Sequence, residues 1–126
     1  MAQDARDAAR RRLAALADGP AADCAPAHHL EQDAALLRRL LTTAGQRQSA
    51  GRQGDMTDEV AAALSLFDQM RLAMDQLETQ VVMEARRCGM DWKQISQHQG
   101  FNSSQAASQR YQRLTTRLEE IRQGIR

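Results

Sequence analysis

Aromatic side chains are nearly absent from this chain, with one Trp, one Tyr and two Phe in 126 residues. A sheet-built core draws on aromatic and β-branched residues, whereas many apolar positions here are Ala, which favours helices. The expected class is therefore all-α. No run of about 18 apolar residues occurs, so no membrane-spanning helix and no membrane partner are expected. The opening MAQDARDAARRR carries charge where a secretory signal needs an unbroken apolar stretch, which points to the cytoplasm. Cysteine is scarce too: Cys24 and Cys88 lie far apart, form no disulfide framework and read as free thiols. Charge of one sign is not in excess, because 17 basic against 16 acidic residues leave a net charge of +1. That balance excludes a uniformly cationic molecule, so any nucleic-acid contact must come from a local cluster.

The marks of catalysis are missing as well. No GxxxxGK phosphate loop and no nucleophile paired with a base is suggested by local pattern, so an enzyme is not expected. Cys24, His28 and His29 sit close together, but a structural zinc site needs four ligands at recognised spacings. The further candidates, Cys88 and His98, are remote, so neither a metal nor another cofactor is expected. Nothing in the N-terminal half marks an effector pocket.

Read along its length, the chain is one small unit rather than two independent domains. Residues 2–17 form a weakly amphipathic helix with Leu13, Leu16 and the run Arg10 to Arg12, stopped by Gly19 and Pro20. Residues 18–27 read as a linker, and a second helix covers Glu31 to Thr43 with Ala34, Leu37, Leu40 and Leu41 in helical spacing. Residues 44–55 hold Gly45, Gly51 and Gly54 and no large apolar residue, the pattern of a mobile loop. A third, longest helix opens with Thr57 as cap and Asp58 and Glu59 at its positive end, and meets no breaker before Gly89. Residues 1–56 thus supply N-terminal helices with flexible linkers for packing or dimerisation, and residues 57–126 supply the long helix and the C-terminal helices beyond Gly89.

Along the third helix Val60, Ala63, Phe67, Met70, Met74, Leu77 and Val81 recur at spacings of three and four. Two arrangements would cover that stripe: the first two helices of the same chain, or the stripe of a second copy. The expected fold is a helical bundle with a long central helix.

The C-terminal third concentrates the chemistry. Asp91 can cap a short helix holding Trp92 and Ile95, Gly100 stands where it must turn, and Ser103 can cap the next helix. In that helix Ala106 and Ala107 permit close packing. Two helices joined by a tight glycine turn, the second starting Ser-Ser-Gln with little inward bulk, match a helix-turn-helix whose second helix enters a major groove. Between Trp92 and Leu118 the charged side chains are Lys93, Arg110, Arg113 and Arg117, with no Asp or Glu, and Lys93 is the chain's one lysine.

The segment from Glu84 to Leu114 resembles a group of small bacterial regulators with a helix-turn-helix like that of sigma-factor region 4 or a homeodomain. The shared pattern is Trp92, Ile95, Gly100, Ser103, Gln105, Ala106, Ala107, Gln109, Arg110 and Tyr111. Two positions depart from it: Ser104 stands where the family usually has Arg, and Gln99 where Leu is common. The resemblance implies that Ser103, Ser104, Gln105, Ser108 and Gln109 face base edges or phosphates, since Gln reads adenine and Ser takes several partners. Lys93, Gln94, Arg110, Arg113 and Arg117 would hold the backbone, with Trp92, Ile95 and Tyr111 as scaffold. One such module binds weakly, which favours a homodimer with two second helices ~34 Å apart on double-stranded DNA.

The function expected on this basis is DNA-binding regulation of transcription. A nucleoid-associated architectural protein with little base readout would use the same element, favoured by Ser104. A protein–protein adaptor of the transcription machinery would use the third-helix stripe instead.

Overall fold

The computed structural model describes residues 2–16, 24–52 and 54–124, and among them it contains only helices. These are α1 (Ala2–Ala14), α2 (Ala25–Ser49), α3 (Thr57–Arg87), α4 (Trp92–Gln99) and α5 (Ser104–Arg122). No helix among the described residues is long and apolar enough to cross a membrane. The all-helical expectation therefore holds, and α3, with 31 residues, is the longest element.

Several expected boundaries move. α1 ends at Ala14 and buries no residue; most of the expected first linker, residues 18–23, lies outside the described residues. α2 begins at Ala25 rather than Glu31, because Pro26 falls in the first turn, where its missing N–H costs no helical hydrogen bond. It also runs through Ala44 and Gly45 to Ser49, so half of the expected loop is helical. Gln46, Arg47 and Gln48 are good helix formers, and one glycine among them costs only ~1 kcal/mol. Thr57 does not cap α3 but is its first residue. The oxygen Oδ1 of Asp55 accepts from the Thr57 backbone N–H at 2.9 Å and from its hydroxyl at 2.5 Å, and these bonds hold the Asp55 carboxyl below the usual aspartate range.

α2 and α3 pack side by side in opposite directions: residues 36–47 of α2 lie beside Met56 and residues 59–66 of α3, and residues 25–33 beside residues 69–76. α4 packs on α5, and α5 returns along the C-terminal half of α3. Among the described residues the buried apolar side chains are few, namely Ala73, Val82, Ile95, Ala107 and Leu114. Three of them, Val82, Ile95 and Ala107, join α3, α4 and α5, with Ala85, Met90, Trp92, Phe101 and Tyr111 packed around them.

The expected apolar stripe of α3 divides. Ala63, Met70 and Leu77 are half-buried, whereas Val60, Phe67, Met74 and Val81 are exposed. A helix has 3.6 residues per turn, so a row with alternating three- and four-residue steps spreads over two neighbouring faces. α2 covers one of those faces, and the other stays open.

Candidate nucleic-acid interface

The joint between α3 and α4 and that between α4 and α5 are built from short-range hydrogen bonds. α3 stops at Gly89, whose φ of +87° is left-handed; Gly89 N–H donates to the Arg86 carbonyl and Met90 N–H to that of Ala85. Asp91 then opens α4 with a reciprocal pair: its carboxylate accepts from Gln94 N–H at 2.8 Å, and the Gln94 side-chain oxygen accepts from Asp91 N–H at 2.9 Å. α4 ends at Gly100 (φ +80°), where Gly100 N–H donates to Gln97 and Phe101 N–H to Ser96. Ser103 caps α5 by accepting from Ala106 N–H at 3.2 Å. The buried Ser96 hydroxyl donates to the Ser103 carbonyl at 2.6 Å, which locks the end of α4 to the start of α5. Both expected caps, Asp91 and Ser103, are therefore present.

One side of α5 faces inward through Ala107, Leu114 and Tyr111; the Tyr111 ring lies 5.7 Å from that of Trp92. The opposite side carries Gln105, Gln109 and Gln112, all exposed, with Ser108 half-buried at its edge, and Ser104 is exposed in the first turn. Gln112 was not among the expected site residues; its spacing from Gln105 and Ser108, seven and four residues, is the signal that places it on this side. Ser108 donates to the Gln105 carbonyl, leaving its oxygen open to a further donor. This face is therefore polar and uncharged, rich in amide groups that can both donate and accept.

The basic residues divide into two sets. Arg110, expected to hold a phosphate, instead forms a two-point pair with Glu78 of α3, Nε to Oε2 at 2.5 Å and Nη2 to Oε1 at 2.8 Å. That carboxylate raises the Arg110 guanidinium above the ordinary arginine range. Arg117 lies 3.6 Å from Asp75 of α3. Both arginines thus tie α5 to α3. Lys93 and Arg113 are exposed and make no ion pair among the described residues. Gln94 spends its side-chain oxygen on the α4 cap and keeps its amide N–H groups. Arg86, also absent from the expected set, lies over the Trp92 ring at 5.0 Å beside the start of α4. Like Lys93 and Arg113, it is exposed and makes no ion pair among the described residues.

Gln99, where the resembling family carries Leu, leaves a trace. Its Nε2 donates a long bond of 3.4 Å to Glu78, and its Oε1 is buried without a partner. An unsatisfied buried acceptor costs roughly 1–3 kcal/mol. Gln99→Leu is therefore expected to raise the melting temperature by a few degrees in thermal denaturation, and a lowered one would show that the amide bond to Glu78 matters more.

Compared with known proteins, the chain matches no protein-family profile, no characterised protein and no solved structure. The functional reading therefore rests on the geometry of α4 and α5.

Proposed function

We propose that the chain is a DNA-binding regulator of transcription whose α4 and α5 act as a helix-turn-helix, with α5 as the recognition helix in the major groove. The observation that carries this reading is the combination of two locally capped helices locked at a glycine turn with an exposed, acid-free Ser/Gln face on the second. Phosphate and base-edge recognition needs hydrogen-bonding groups on a helix that nothing covers, and Ser104, Gln105, Ser108 and Gln109 supply them. Lys93, Arg113 and Arg86 would hold phosphates on the flanks. Arg110 and Arg117, engaged by α3, keep a positioning role. With so few free cations per chain, affinity requires a homodimer on double-stranded DNA, and the protein would reside on the nucleoid.

A second reading, an architectural protein with little sequence preference, draws on the same face. Serine at position 104 and the diversion of Arg110 to Glu78 both reduce base and phosphate contacts. The two readings separate in one experiment, a salt titration of binding to duplex DNA by fluorescence anisotropy with the native chain, Lys93→Ala and Gln105→Ala. Each phosphate contact contributes about −0.9 to the slope of log K against log salt. Lys93→Ala is expected to flatten that slope by about one per chain. Gln105→Ala is expected to weaken the best site about tenfold, on the order of one base contact, while leaving unrelated DNA unaffected. Equal loss on all sequences would favour the architectural reading, and unchanged binding in both variants would remove α5 from the interface.

A further inference from the structure

On α3, Val60, Leu64, Phe67, Met74 and Val81 are each between 38 % and 68 % exposed. They form one continuous open strip, bordered at its C-terminal half by an apolar groove of about 510 Å³ lined by Leu77, Val82, Met90 and Ile95. The N-terminal half of α3 packs on α2 but buries no residue fully, since its buried residues begin at Ala73. The described residues bury only five apolar side chains, two of them alanine, which is little for a unit of this length. We infer that a second copy of this chain covers the strip, α3 against α3 in antiparallel orientation, with the two-fold axis between Met70 and Arg71. This inference rests on the DNA-binding reading for its consequence and on α3 alone for its geometry.

Three features favour this occupant and this direction. An isologous interface must be complementary to itself. Val60, Phe67, Met74 and Val81 are spaced by sevens, so rotation about the Met70–Arg71 midpoint sets Val60 against the second copy's Val81 and Phe67 against its Met74. Charge agrees: α3 begins with Asp58 and Glu59 and ends with Arg86 and Arg87, so antiparallel copies bring acidic ends to basic ends, and parallel copies would oppose like charges. Near the axis, Arg71 and the second copy's Asp68 come to within about 3 Å of the same height, at 1.5 Å per residue. Both are exposed, and within one chain they make only a loose pair at 3.6 Å.

The consequence concerns spacing. Val82 lies between 11 and 12 residues beyond the proposed axis, roughly 17 Å along α3. Val82 shares one buried cluster with Ile95 of α4 and Ala107 of α5. Two copies thus set the N-terminal turns of their α5 helices, at Ala107, about 34 Å apart along α3, one turn of B-DNA, the separation at which two recognition helices read successive major grooves.

The test replaces Cys24 and Cys88 by Ser in the full chain and introduces single cysteines. Arg71→Cys, beside the axis, is expected to form a disulfide dimer on mild oxidation. Val60→Cys, roughly 31 Å from its copy across an antiparallel pair, is expected to form none. Phe67→Glu should convert the native dimer to monomer in sedimentation equilibrium while circular dichroism keeps its helical content. A native chain that sediments as a monomer at tens of micromolar, or efficient cross-linking through Val60→Cys, overturns the inference. On DNA, paired half-sites 10 to 11 base pairs apart centre to centre are expected to bind at least tenfold better than the same half-sites 15 apart. A dimer that cross-links through Arg71→Cys and binds no DNA refutes the DNA-binding reading and leaves the interface standing. A monomer that binds one half-site does the reverse.

Discussion

Ile95→Ala is expected to abolish cooperative thermal unfolding of the C-terminal half. Ile95 is among the most buried side chains, and it is the contribution of α4 to the contact with Val82 of α3 and Ala107 of α5. Truncating a buried Ile costs about 2–5 kcal/mol, a large share of the roughly 5–15 kcal/mol that holds a small domain together. So few side chains are buried that little else can take over. Circular dichroism should show a melting temperature lower by on the order of 15 °C, or a broad transition without a clear midpoint. DNA binding should fall with it, because α4 no longer holds α5. A shift below a few degrees would mean that the packing around Trp92 and Tyr111, and not the Val82, Ile95 and Ala107 contact, joins these helices. Leu36→Ala, at an exposed position of α2, is the control and should change little.

The second large effect separates recognition from stability. Ser108 stands at the edge of the exposed α5 face, and its hydroxyl engages only the carbonyl of Gln105, one turn away. Ser108→Glu adds a carboxylate where DNA would lie and removes only a hydrogen bond internal to α5. The added charge faces phosphate and base acceptors at close range, so affinity for duplex DNA should fall by at least roughly 30-fold, equivalent to about 2 kcal/mol. Helical content and melting temperature should stay near those of the native chain. Retained affinity would show that this side of α5 does not meet DNA, and loss of both affinity and helix would contradict the exposure of this face.

What could be read from the sequence was local. Asp91 with Gln94, Gly100 and Ser103 satisfy backbone groups within a few residues of themselves, so their residue types alone mark the ends of α4 and the start of α5. The helical class followed from composition. The extent of α2 did not, because Gly45 and the lack of large apolar residues after Thr43 argued for a loop, while Gln46 to Gln48 sustain helix without any core contact. The fate of Arg110 was hidden for a different reason. Its partner Glu78 lies 32 residues away, and only the return of α5 along α3 brings them together, so a residue matching a DNA-binding pattern became a tie between helices. The same return exposes half of the α3 stripe, since α2, α4 and α5 cover other faces.

Selection of bound duplexes from a random-sequence pool by the full chain, followed by sequencing and a salt titration on the enriched duplex, bears on DNA recognition by α5 without knowledge of any target. The structure leads us to expect enrichment of a two-fold motif with half-sites one helical turn apart, bound in a salt-dependent manner and lost with Ser108→Glu. No enrichment, together with no binding at low salt, would contradict a DNA-binding role for α4 and α5 and leave the apolar strip of α3 as the working surface of the protein.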